Sequence, residues 1–394
     1  MKNTIYNYIE LRGNLNVHDF PYNEIDYLIL SEFAYIHFDG IVDAHFNHVM
    51  TLKQVYDLFC MVYKDESKIE DQSYYKCLKA LKLAAQSPRY QNIQIVSYVN
   101  DIDKDLIKQF SATTYLLEDQ TMFVAFRGTD DTLIGWHEDF LMLCDEIVPA
   151  QKSSVRYLEY VSQMPYKNTL MEDLHQPCLG QSYWDRLKKH FEYKKKRPIL
   201  LGGHSKGGNL AMYSACFSSS PVQERIRHVY NYDGPGFHEE ILRGKEYQNM
   251  LPRICSYIPH YSFFGITLGH EEEYHVVKSY NQGMIQHDAT SWQVSANGFV
   301  YDELSSGSVD YALKVLMFLN HLTVEEKYIV VNTMFGLFDS LGLVSFSDLA
   351  HISFKQIVMA LKQMTLLEQN VRKMLLEVLH MIWLESMKSK EDTK

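Results

Sequence analysis

The stretch that most limits what this chain can fold into is Pro198-Ile-Leu-Leu-Gly-Gly-His-Ser-Lys-Gly-Gly-Asn-Leu-Ala211. It reads as strand, sharp turn, helix: an apolar run breaks into a serine flanked by glycines, and good helix formers follow. Gly203-His204-Ser205-Lys206-Gly207 fits the GxSxG elbow, in which a strained strand-to-helix turn lifts one serine above the carboxyl end of a sheet. Glycines are needed there because side chains beside a serine with an unfavourable backbone angle would strike the neighbouring strand and helix.

Such an elbow needs a sheet around it, and the sequence supplies one. Ile93–Val99, Thr114–Leu117 and Thr121–Phe126 are short β-branched and aromatic runs separated by polar turns. Beyond the elbow come Ile226–Tyr232, Ile254–Ile258 and Tyr274–Lys278, with a hairpin-like piece at Val294–Tyr301 around Asn297-Gly298. Helical spacing marks Tyr27–Tyr35, two segments within residues 50–90 that cover the sheet, Gly135–Cys144, 154–164 and 178–194. Strands alternating with helices predict an α/β fold with a mainly parallel sheet flanked by helices, over residues 1–305. After Gly307 the strand signals stop. Amphipathic segments such as Tyr311–Asn320 and Phe354–Met364 predict a helical C-terminal appendage over residues 306–394, whose Met and Leu stripes read as core.

Composition narrows the function classes. A net charge of −11 over 394 residues argues against nucleic acid as a partner, since neutralising phosphates takes a basic face. The basic run Lys194–Arg197 reads as the favoured cationic end of a helix. The six cysteines lack metal-ligand or CxxC spacing, so neither a metal site nor an organic cofactor is expected. No leader-like amino terminus and no transmembrane run of ~18 apolar residues is seen, and a cytoplasmic protein is expected.

A serine hydroxyl is a poor nucleophile at neutral pH and needs a base that is itself oriented by a third group. His204 points the wrong way for an elbow neighbour, and in this fold type the chain order is serine, acid, histidine. Among downstream histidines, His287 in the polar loop Asn281–Asp288 is the choice, with His260 and His270 as alternatives. Asp233, which follows the strand after the elbow helix, is the chosen acid. A turn-capping role competes for it, and Asp288 is the alternative. Two backbone N–H groups, of Lys206 and Thr129, are the expected oxyanion donors, with the Thr129 hydroxyl as a third. Arg127, Asp130 and Asp131 are expected to hold that loop in shape.

Phe126-Arg-Gly-Thr129, Gly135-Trp136 with Asp139-Phe140, Gly203-His-Ser-Lys-Gly-Gly208 and Tyr232-Asp-Gly-Pro-Gly236 resemble the fungal-type class 3 lipases. The chain is more similar still to a bacterial branch of lipase-like α/β-hydrolases that carries Gly-His-Ser-Lys-Gly-Gly-Asn-Leu-Ala and Gln-His-Asp. The resemblance covers about residues 1–305. It implies Ser205 as nucleophile, Thr129 as an oxyanion residue and a lid after Thr129. Two departures stand out. Ile258-Pro-His-Tyr-Ser262 lacks the carboxylate that those lipases commonly place there, and Lys206 replaces a leucine, which puts a cation near the pocket. The expected activity is hydrolysis of a small-molecule or lipid ester through an acyl-enzyme on Ser205. The alternatives are a thioesterase or peptidase of the same mechanism, or a non-catalytic binding protein that meets a protein partner through its C-terminal helices.

Overall fold

Met122–Phe126 (β4) and Ile199–His204 (β5) are buried at every position, the pattern of strands covered on both faces. They sit mid-sheet in a computed structural model that describes residues 2–45, 49–63, 72–163 and 197–391. The other strands are Met50–Thr51 (β1), Gln94–Asp103 (β2), Lys108–Leu116 (β3), Ile226–Tyr232 (β6), Ile254–Pro259 (β7) and Tyr274–Val277 (β8). Neighbours in the eight-stranded sheet follow chain order. β1 to β4 pair antiparallel and β4 to β8 parallel.

Parallel neighbours need crossover connections; helices lie in those from β4 to β7, and a 3-10 turn, Phe264–Ile266, lies between β7 and β8. The described helices are Ile5–Arg12 (α1), Glu24–Glu32 (α2), Leu52–Val62 (α3), Gln72–Ala85 (α4), Leu133–Leu141 (α5), Pro149–Gln163 (α6), Lys206–Phe217 (α7), Ser220–Gln223 (α8), Glu239–Leu242 (α9) and Lys245–Met250 (α10). They are followed by Ser306–Asn320 (α11), Val324–Ser340 (α12), Phe354–Met364 (α13) and Gln369–Glu391 (α14).

Alternation along the strands divides the interior in two. Phe123 and Ala125 face a core built with α1 to α4. Met122, Val124 and Phe126 face the opposite core with α6, α7, α9 and α10. A third cluster joins Leu141, Met142 and Val148 to Val331, Met334, Phe335 and Phe338 of α12, so the helical block is docked on α5 and its flank. On α13, Phe354, Ile357, Val358 and Leu361 stay exposed.

The predicted α/β fold, a mainly parallel sheet flanked by helices with a helical C-terminal part, is the fold observed. Several element bounds differ. α1 lies where no helix was expected, held by Ile5, Tyr8 and Ile9 buried at helical spacing. α2 starts at Glu24, ahead of the expected Tyr27, because Asn23 caps it by accepting from the N–H groups of Ile25 and Asp26. The helix read at 178–194, and the basic run as far as Lys196, lie outside the described residues.

The carboxyl end of α2 delivers Glu32 and Tyr35 to the elbow, and a buried ion pair fixes the helix in place. Its anchor is Arg89, whose guanidinium donates to both carboxylate oxygens of Asp26 and to the carbonyls of Phe20 and Pro21. Both ionic side chains are at most 1 % exposed. Removing one partner of such a buried pair costs about 3–5 kcal/mol.

Candidate active site

β5 ends at His204, and α7 begins one residue after Ser205. Between them Ser205 adopts φ 58° and ψ −134°, a strained combination that costs about 1–3 kcal/mol and persists only where its surroundings impose it. They do so here: the Ser205 N–H donates to the Tyr232 carbonyl at 2.9 Å. A Cβ on Gly207 would lie 2.1 Å from the Phe126 carbonyl oxygen, so only glycine lets the helix start this close to β4. The amide of Lys206 opens α7, among the N–H groups that have no partner within the helix.

Asp233 sits just past β6 and is also strained, with φ 53°. Its buried carboxylate accepts from His287 Nδ1 at 2.6 Å, from Ser262 Oγ at 2.5 Å and from the Gly265 N–H at 3.1 Å. A carboxylate at Nδ1 assigns the ring proton to that nitrogen and leaves Nε2 as the basic one. Ser262 ends the segment where a carboxylate is absent, and its hydroxyl instead steadies Asp233.

His287 closes a short 3-10 turn, Gly283–His287. Phe264 packs on its ring at 4.2 Å between centroids. His204 Nε2 donates to the His287 carbonyl at 2.7 Å, so its Nδ1 accepts from the Tyr35 hydroxyl at 3.2 Å. Burial, reinforced by the neighbouring His287, depresses the His204 pKa far below its usual value and keeps it neutral. Glu32 lies 3.3 Å from the same Nδ1. Its carboxyl is pushed up to about 8, chiefly by burial and then by the charge of Asp288. The sequence dismissed His204 as a base and offered nothing on Glu32. His204 holds the His287 carbonyl and Glu32 lies beside His204, an arrangement seen only once α2 is docked.

The alternative residues have other partners. His260 pairs with Asp302. His270 pairs with Glu272, which also accepts from Ser256 and Tyr247. Asp288 pairs with Lys76 at 2.5 Å and accepts from the Thr290 hydroxyl.

Thr129 follows β4, and Gly128 beside it admits the Tyr35 hydroxyl. The Thr129 hydroxyl donates to Asp139 Oδ2 at 2.5 Å, which commits it to the loop and leaves the backbone amide as the donor to consider. Lys206 is not a free cation at the pocket. Its ammonium, 1 % exposed, lies 3.0 Å from Glu138, 3.0 Å from Gln109 and 3.4 Å from Asp139. Burial works against its charge, but Glu138 and Asp139 outweigh it and its pKa rises. The Lys206-Asp139-Thr129 chain therefore ties the first residue of α7 to the loop after β4.

Ser205 lies between two cavities. One, of about 290 Å³, is apolar: Phe140, Phe263, Phe264 and Met284 line it from the sheet side, and Phe318 and Met334 from the helical block. The other, of about 230 Å³, is polar and holds Thr129, His204 and His287 in its wall. Trp136, Asp139 and Ser205 belong to both. Among the described residues the Ser205 hydroxyl makes no hydrogen bond to His287, and no cluster of metal-ligating side chains occurs. No described helix is long and apolar enough to cross a membrane.

Sheet order, elbow and flanking helices define an α/β-hydrolase fold. Within that class the chain belongs to the Mbeg1-like family, whose model matches residues 84–336 and so runs past the sheet into α12. Among curated proteins, none matches. Similar solved structures are M37 lipase (12 % identity, 62 % of this chain and 69 % of that one, TM-score 0.34) and the Rhizomucor miehei lipase propeptide complex (10 %, 68 % and 84 %, 0.33). Lipase II from Rhizopus niveus is a third (12 %, 68 % and 95 %, 0.33).

Proposed function

We propose that this protein is a serine hydrolase acting on a carboxylic ester. Ser205 is the nucleophile, His287 the general base and later acid, and Asp233 the group that orients and stabilises the imidazolium. The backbone N–H groups of Lys206 and Thr129 receive the oxyanion. The observation that carries this reading is the 2.6 Å Asp233–His287 contact, together with Ser205 and His287 opening on one cavity. Attack by Ser205 Oγ passes its proton to His287 Nε2. Collapse of the tetrahedral adduct then expels the alcohol and leaves an acyl-enzyme for water to cleave. The apolar cavity suits the acyl group, since burial of each methylene is worth about 0.8 kcal/mol.

The open distance between Ser205 and His287 favours a second reading, a binding protein on a hydrolase fold. Catalytic pairs are often loose before a substrate draws them together, so the first reading is preferred. Labelling by a fluorophosphonate probe and hydrolysis of p-nitrophenyl octanoate separate the two. Wild type should do both, and Ser205→Ala neither. Absence of Ser205-dependent labelling would leave the binding reading standing.

A further inference from the structure

The two cavities on either side of Ser205 differ in chemistry, and the position of His287 says which takes which half of an ester. The departing alcohol oxygen must receive its proton from His287 Nε2. His287 is in the wall of the polar chamber and not of the apolar one. The alcohol therefore leaves into the polar chamber, and the acyl group occupies the apolar side.

The chamber wall is acidic and aromatic. Glu32, Asp130, Asp131, Asp139 and Asp288 are among its lining residues, and no lysine or arginine is among those described. Three of these acids pair with cations: Asp130 with Arg127, Asp139 with Lys206 and Asp288 with Lys76. Lys206 is shared between Glu138 and Asp139, two acids for one base. Glu32 holds its proton near neutral pH, so the negative charge of the chamber comes from its aspartates, whose cations are not among the described lining residues. Glu32 Oε1 and Asp139 Oδ1 are buried without hydrogen bonds among the described residues, and Glu32 is only 4 % exposed. Tyr35, Tyr74 and Trp136 complete the wall. Carboxylates combined with tyrosine and tryptophan rings attract an organic cation through charge and the ring quadrupole together, and they repel a phosphate or carboxylate.

Resting on the serine-hydrolase reading, we infer that the polar chamber selects esters whose alcohol half carries a positive charge, an ammonium alcohol, and rejects those whose alcohol carries phosphate. The chemistry is ordinary ester cleavage. The bond between the carbonyl carbon and the alcohol oxygen breaks, that oxygen keeps the electron pair and takes the proton from His287 Nε2, and the charged head plays no covalent part.

The test compares kcat/KM for three esters of one acyl chain: octanoylcholine, its neutral isostere 3,3-dimethylbutyl octanoate, and 1-octanoylglycerol 3-phosphate. The choline ester should exceed the isostere by about tenfold or more, and the phosphate ester should fall below the isostere by a similar factor. Raising the salt concentration should erode the first preference, as it does for any charge partly open to solvent. Asp131→Asn retains an amide oxygen that can accept from the Ser347 N–H and removes the charge, and should shrink the choline-to-isostere ratio severalfold. Equal rates for choline ester and isostere, a preferred phosphate ester, or a ratio indifferent to Asp131→Asn would each overturn the assignment. If Ser205-dependent labelling and p-nitrophenyl octanoate turnover persist while the series is flat, only the chamber assignment fails. If both are missing, the serine reading fails and takes the chamber with it.

Discussion

Glu32 is the residue whose chemistry departs furthest from what its place in the sequence suggests. In Ile25-Asp-Tyr-Leu-Ile-Leu-Ser-Glu32 it looks like the polar position of an amphipathic helix, yet α2 is buried and Glu32 ends inside the molecule beside His204. Its folded pKa of about 8 lies above the ordinary 4.5. Between those values the folded chain holds a proton that the unfolded chain has released, so stability falls as pH rises. The contribution is whole below pH 4.5 and lost by the time pH passes about 8. Glu32→Gln cannot ionise. Urea unfolding at pH 5 and pH 8 should show a smaller loss for the variant than for wild type, by on the order of a few kcal/mol. Equal losses would show that Glu32 does not hold that proton. Of the proposed site residues, Ser205 stands out in the sequence because its neighbours announce the turn, and His287 and Asp233 because chain order and strand ends restrict the choices. His204 and Glu32 do not. Their roles arise from a contact between α2 and β5, made by residues about 170 apart, and no local pattern encodes it.

Among the packed helices and strands, the elbow depends on how closely α7 approaches β4. Gly207→Ala would set a methyl group against the Phe126 carbonyl, backbone against backbone, where neither side can rotate away. A cost of about 3 kcal/mol or more is expected from such overpacking, read as a lowered midpoint of thermal unfolding and accompanied by loss of probe labelling. Little change in either would mean that α7 can shift freely. The strands of the sheet were readable because β-branched and aromatic runs end at turn residues. Their lengths were less so: β2 continues to Asp103 through the polar residues Asn100 and Asp101, held by pairing with β3 rather than by its own composition. α1 carried its signal in Ile5, Tyr8 and Ile9, but mixed with so many polar residues that only tertiary burial makes it decisive.

Across the full chain, the sequence separated a sheet-bearing part from a helical one, whereas the site draws on both. Met334 of α12 is buried and lines the apolar cavity together with Ser205. Met334→Trp should fill that space and lower the ratio of octanoyl to acetyl ester turnover by about tenfold, the size of effect that a few methylenes excluded from an apolar pocket produce. An unchanged ratio would place the acyl chain elsewhere.

The helical block also reaches the loop after β4 directly. Leu133 N–H donates to the Val344 carbonyl, Phe346 N–H to the Asp131 carbonyl and Ser347 N–H to the Asp131 carboxylate. Thr132 and Ser345 form a bridge of the kind found between antiparallel strands. These bonds give the site a place in time as well as in space. While the chain is being made from its amino terminus, the serine, its histidine and its aspartate all emerge before residues 344–347 exist to brace the Thr129 loop. The last brace of the site is thus added after the proposed triad has been made, and a chain interrupted between His287 and Val344 carries Ser205 without its finished cradle.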